Sequence, residues 1–226
     1  DQKLVAQSPY KEFSKPSDEK SRDRVLSNAE LAALWNVAGD EGQPFGTIVR
    51  LLILTGQRRS EVSGIRDSEL DLNARLWTIP AERAKNGQKH IVGLSPQAVA
   101  ELAGVERIKS KLGLWFTTTG KTPFSGHSKA KGRIDGKLGF AEAWRLHDIR
   151  RTVSTGMAAL GEPVPVVEAI LNHVSGTRAG VAGIYNRHAY SDEAELALES
   201  WGRFITDIIA HDDRRLAWDA MRGRDR

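Results

Sequence analysis

The stretch that decides the fold runs from Glu69 to Leu94: ELDLNARLWTIPAERAKNGQKHIVGL. Leu70, Leu72, Leu76, Trp77 and Ile79 lead to Pro80, and His90-Ile91-Val92-Gly93-Leu94 follows. Asn73-Ala74 and Asn86-Gly87 supply turn chemistry between these apolar runs. Together they predict a small antiparallel sheet of three strands, with Asn86-Gly87 near its last turn. On either side the pattern is helical. Ser27-Asn28-Ala29-Glu30 has the spacing of a capping box, and Leu31, Leu34 and Trp35 follow at helical intervals. Pro44 opens a second helix with Ile48, Leu51, Leu52 and Leu54 on its apolar face, and Gly56 ends it. Ser95-Pro96 starts another. The pattern turns mostly helical again from about Gly139, with segments near 141–160, 163–172, 179–186 and 191–210. The expected fold class is α+β, mainly helical, with one small three-stranded antiparallel sheet.

A chain of 226 residues, 40% hydrophobic and 27% charged, has the composition of one globular domain with tails. Residues 1–26 are polar, carry two prolines and read as a tail or linker remnant. Residues 27–190 form the expected body. Residues 191–226 read as an amphipathic helix and tail, with Asp192 and Glu193 in the first turn and Leu198, Trp201, Ile205 and Ile208 on one face. Cysteine is absent, which excludes disulfides, thiolate metal sites and a cysteine nucleophile. No apolar run approaches the ~20 residues of a membrane span, so no membrane partner is expected.

The formal net charge is only +4, but it is unevenly spread. Residues 105–137 hold eight basic groups against two acids, whereas residues 191–226 hold nine acids against six basic groups. A basic body with an acidic tail points to a phosphate-binding face. Several familiar motifs fail. Gly120-Lys121-Thr122 imitates the end of a phosphate-binding loop, but Trp115 stands where its first glycine is needed. The six histidines have no metal-ligand spacing, and no nucleophile elbow is present. Neither a metal nor a cofactor is expected.

Four separated segments make sense together: Thr55 to Val62 (Thr-Gly-Gln-Arg-Arg-Ser-Glu-Val), Ala84 to His90 around Lys85, Leu146 to Arg151 around His147 and Arg150, and Leu171-Asn172-His173 followed by Gly183-Ile184-Tyr185. Two arginines can grip the non-bridging oxygens of one phosphate. A tyrosine hydroxyl can attack phosphorus, a lysine can donate a proton to the leaving oxygen, and histidines can shuttle protons.

These boxes, in this order from about 55 to 185, resemble the catalytic domain of the tyrosine recombinases of the phage and genomic-island integrase kind. The Thr-Gly-x-Arg-x-x-Glu box is matched by Thr55 to Glu61, which places the first catalytic arginine at Arg58. The hairpin lysine matches Lys85, the His-x-x-Arg box His147 and Arg150, and the Leu-Gly-His box Leu171 to His173, with Asn172 in place of glycine. The nucleophile matches Tyr185. Its separation from His173 is longer than the nine residues common in the family, which makes Tyr190 a rival; Tyr10 lies in the tail.

The resemblance implies the tyrosine recombinase catalytic-domain fold and strand cleavage by transesterification. Arg58 and Arg150 would clamp the phosphate, Lys85 would protonate the 5′-oxygen assisted by His147 and His173, and Glu61 would buttress the network. The implied partners are double-stranded DNA at attachment or core sites, further copies of the chain in a synaptic tetramer on DNA (a monomer when free), and accessory DNA-bending proteins. The implied setting is the bacterial cytoplasm, on nucleoid DNA. An N-terminal core-binding domain, usual in the family, is expected to be missing, so DNA binding should be weak. Lys129, Lys131 and Arg133 are expected to meet backbone phosphates, in a segment otherwise read as a lysine-rich loop. A type IB topoisomerase-like relaxing enzyme and a DNA-binding relic without catalysis remain open as alternatives.

Overall fold

The computed structural model of the chain describes residues 23–173 and 191–222. The first helix, α1 (Asn28–Glu41), opens on the capping box read from the sequence. The Glu30 N–H donates to Ser27 Oγ at 3.2 Å, and the Ser27 N–H donates to Glu30 Oε2 at 2.9 Å. The next, α2 (Phe45–Thr55), is buried on nearly every face, and only Arg50 escapes. A helix apolar all round belongs at the centre of a domain, and α2 occupies that place, packed against α1. Gly46 permits the approach, because a Cβ there would collide with the Ala38 carbonyl. Gly56 takes a left-handed φ of 63° and stops the helix.

After the short α3 (Arg59–Ser63) come the three strands, β1 (Leu70–Asp71), β2 (Leu76–Ile79) and β3 (His90–Gly93), antiparallel and in sequence order. Trp77 opposes Val92 and Ile79 opposes His90. These four point into the core, while Ile91, between them, is 55% exposed. Period-two alternation is therefore kept even in four-residue strands. The first turn is closed by the Ala74 N–H donating to Asp71 Oδ1 at 2.9 Å. The β2–β3 connection is a loop over residues 80–89, with Asn86-Gly87 near its end and Gly87 at φ 67°.

Four further helices follow the sequence pattern. They are α4 (Pro96–Ala103), capped by Ser95 Oγ, and α6 (Leu146–Ala159), α7 (Val164–Ile170) and α8 (Ser191–Arg222). The α6 helix starts at Leu146, later than the expected 141, because the Arg145 N–H is capped by Asp148 Oδ2 at 2.8 Å. The segment expected near 179–186 lies outside the described residues.

One helix has no counterpart in the sequence pattern: α5 (His127–Leu138) carries Lys129, Lys131 and Arg133 on a helix rather than on the alternative lysine-rich loop. Gly132 and Gly136 each weaken a helix by roughly 1 kcal/mol relative to alanine, which hides the pattern. Packing of Ala130 and Ile134 against α1 overrides that deficit.

The α8 helix packs on its own chain. Ala197, Leu198, Trp201 and Ile205 are buried, and Trp201 Nε1 donates to the Ile53 carbonyl at 2.7 Å. Gly156 on α6 leaves room for the Trp201 ring. No described helix is long and apolar enough to cross a membrane.

Candidate active site

The end of α2 places the first arginine. Gly56 turns the chain, and buried Gln57 donates from Nε2 to the carbonyls of Thr55 (3.0 Å) and Ile170 (2.8 Å). Arg58 then sits at the N-cap of α3. Glu61, whose side chain is 1% exposed, accepts the Arg58 main-chain N–H at 3.0 Å and its guanidinium at 3.1 Å. Burying a carboxylate is tolerable only when it is paired this fully.

The α6 helix places the second arginine. Arg150 is buried; its Nη1 donates to the Gly56 carbonyl at 2.8 Å and its Nη2 to the Leu171 carbonyl. Burial first, and the nearby Arg58 charge second, push its pKa down to about 10. The guanidinium therefore stays charged at neutral pH, close enough to Arg58 to be repelled by it, with Glu61 as the one carboxylate acting on both. That arrangement favours an anion.

His147 lies one turn before Arg150 on α6, and His173 follows α7. Desolvation first, then neighbouring arginines, lower both imidazole pKa values: Arg151 and Arg150 act on His147, Arg150 and Arg58 on His173. Both rings favour the neutral form at neutral pH and can accept a proton. Lys85 is exposed on the β2–β3 loop. A cavity of about 440 Å³ collects Arg58, Lys85, His147 and Arg150 in its wall. His173 lies within electrostatic reach of both arginines, and Glu61 stands behind Arg58. Tyr185 and its rival Tyr190 lie outside the described residues.

The three cations of α5 diverge. Lys131 lines the same cavity, pairs with Asp135 at 2.7 Å and lies 4.3 Å from the centre of the Trp144 ring. Lys129 is exposed, and Arg133 is turned to Glu41 at the end of α1. Among the described residues no group of three His, Asp or Glu side chains is placed to hold a metal.

Sequence reasoning did not find the groups that hold these residues in place. Arg83 donates from Nε to Glu69 Oε1 at 2.7 Å and from Nη2 to the Glu61 carbonyl at 3.0 Å, while Trp77 Nε1 reaches Glu69 Oε2 at 3.2 Å. The sheet is thereby tied to the box that carries Arg58. His90 is buried beneath the site with Nε2 3.0 Å from the Ile170 carbonyl, and burial pushes its pKa down to about 4. Strand alternation is the one sequence signal that could have turned His90 inward. His127, at the start of α5, also lines the cavity.

Residues 24–192 match the phage integrase family. The chain is 29% identical to the prophage integrase IntA of Escherichia coli (strain K12) over 153 residues, covering 68% of this chain and 37% of that protein. It is 31% identical to the prophage integrase IntZ of the same strain over 168 residues, covering 73% and 40%. The chain thus spans about two fifths of the curated relatives it matches. Among solved structures, XerA recombinase superposes with a TM-score of 0.59 at 20% identity, over 84% of this chain and 67% of that one. XerH site-specific recombinase bound to its difH substrate superposes with a TM-score of 0.55 at 17% identity, over 76% and 52%. The fold expected from the sequence boxes is the one observed.

Proposed function

The chain belongs to the phage integrase family, and on that footing we propose that it carries the catalytic domain of a site-specific DNA recombinase. The observation that supports this best is the convergence of Arg58, Arg150, Lys85 and His147 on one cavity, with each arginine anchored by buried partners. An arginine pair fixed before substrate arrives costs no reorganisation when charge builds on a phosphate.

In the proposed reaction the Tyr185 oxygen attacks the scissile phosphorus and forms a P–O bond. The P–O5′ bond breaks, and its electron pair leaves on the 5′-oxygen. Lys85 gives that oxygen a proton, while the phenol proton passes to a neutral imidazole, His147 or His173. Arg58 and Arg150 hold the non-bridging oxygens; the guanidinium N–H groups of Arg150 not spent on Gly56 and Leu171 are free for this. The products are a 3′-phosphotyrosyl link and a 5′-hydroxyl, and attack by a second strand's 5′-hydroxyl reverses the step. No external energy source is needed, because the phosphodiester bond is conserved as the phosphotyrosyl ester.

Duplex DNA is the substrate in this reading, with Lys129, Lys131 and Arg133 as backbone-phosphate contacts. Strand exchange between two duplexes brings several copies together on DNA, as a synaptic tetramer. Accessory DNA-bending proteins and action on nucleoid DNA belong to the same reading.

The test is covalent capture. A pool of nicked duplexes with a randomised core is incubated with the protein, and adducts resistant to denaturant are sequenced. Enriched sequences that are lost with Tyr185→Phe are the expected result. Adducts retained by Tyr185→Phe but lost with Tyr190→Phe would move the nucleophile. No adduct from any variant would leave a binding protein without chemistry.

A further inference from the structure

The β2–β3 loop that carries Lys85 is not anchored by its own strands alone. Asn86 Nδ2 donates to Asn172 Oδ1 at 2.7 Å, and Asn172 Nδ2 donates back to Asn86 Oδ1 at 3.3 Å. The two residues are 86 positions apart in sequence. Asn86 is the neighbour of Lys85. Asn172 lies between Leu171, whose carbonyl receives Arg150, and His173. Asn86 Oδ1 also accepts the Gln88 N–H at 3.2 Å, so one amide shapes its own turn and clasps the next segment.

The backbone of Asn172 explains the residue type. Its φ is +49°, a left-handed conformation that glycine takes freely and asparagine tolerates better than most other residues. Glycine would satisfy the backbone but offer no side chain. Asparagine satisfies it and adds a donor and an acceptor.

We propose that the reciprocal Asn86–Asn172 amide pair is a positioning device that holds the Lys85 loop against the turn carrying Arg150's acceptor and His173. Proton delivery to the leaving oxygen and phosphate clamping are thereby set in one frame. The inference rests on the reading of Lys85 as the group that protonates the 5′-oxygen when the P–O5′ bond breaks. Both asparagines act through Lys85 and touch no reacting atom.

The test uses duplexes selected by covalent capture, made with either oxygen or sulfur at the bridging 5′ position. A thiolate leaves without being protonated, since thiols ionise near pH 8.5, so a sulfur duplex bypasses the proton donor. Asn172→Gly keeps the left-handed backbone and removes the amide; Asn86→Ala removes its partner. Both variants should cleave the oxygen duplex roughly 10- to 100-fold more slowly and the sulfur duplex within about twofold of the parent chain. The double variant should be no slower than the slower single one. Lys85→Ala is the control: if sulfur does not restore it, the reading of Lys85 fails. If sulfur restores Lys85→Ala but not the asparagine variants, or if those variants cleave the oxygen duplex normally, the positioning role is overturned. A DNA-free measurement stands beside these. Amide exchange at residues 84–89 should accelerate in Asn172→Gly, and unchanged exchange there would also overturn the proposal.

Discussion

Glu61 holds Arg58 twice, once through the main-chain N–H at 3.0 Å and once through the guanidinium at 3.1 Å. One carboxylate therefore caps a helix and fixes the cation proposed to hold the phosphate. Glu61→Ala should lose about 1–3 kcal/mol of unfolding free energy, read by urea denaturation, and weaken DNA binding as Arg58 loosens. Glu61→Gln, which keeps an acceptor, should recover part of the stability. Equal losses for the two variants would contradict the double role.

Arg150→Lys is not a mild change. A lysine cannot bond the Gly56 and Leu171 carbonyls while presenting a planar fork to a phosphate. The variant should fall by about 1–3 kcal/mol in stability, and cleavage should drop by about 100-fold or more, measured on captured duplexes in single turnover. Retention of either property at the parent level would refute this account.

His90 gives the fold a defined acid sensitivity. Its native pKa, about 4, lies below the ordinary imidazole value of 6.5, so the unfolded chain binds a proton that the folded chain refuses. The His90 contribution should therefore be complete above about pH 6.5, decline as pH falls towards 4 and level off below that; the shift corresponds to roughly 3 kcal/mol. His127, His147 and His173, all lowered, contribute in the same direction. His90→Asn should shallow the slope between pH 6.5 and 4 in unfolding measurements, and an unchanged slope would exclude His90 as a source.

Trp201 fastens α8 to the body. Trp201→Ala should cost about 3–5 kcal/mol and expose α8 to proteolysis. A variant that unfolds like the parent chain would show that the helix is not integral to the core.

The salt dependence of DNA binding should separate the α5 cations. Lys129→Ala should flatten the slope of log K against log salt by about 0.9. Lys131→Ala and Arg133→Ala, whose cations are already paired with Asp135 and Glu41, should each flatten it less. The reverse ranking would assign the phosphate-facing side of α5 differently.

Much of this fold was legible because its signals are local. Ser27 with Glu30, Gly56, Ser95 and the turns around the strands each act within a few residues of themselves, and each is where the pattern placed it. The α5 helix was hidden because its stability comes from α1 rather than from its own glycine-bearing sequence. In the site, Arg58, Lys85, His147 and Arg150 could be named from motif spacing, and they share a cavity. Their supports could not. Arg83 with Glu69 and Asn86 with Asn172 are side-chain pairs joined only by tertiary folding, and no periodicity in the chain announces them.

The two carbonyls that receive Arg150 close the C-terminal ends of α2 and α7. The residue proposed to grip the scissile phosphate is thus also a rivet between two helices. Under that proposal a substitution at this position removes the grip and the rivet in one step, so catalytic loss and lowered stability are inherited together.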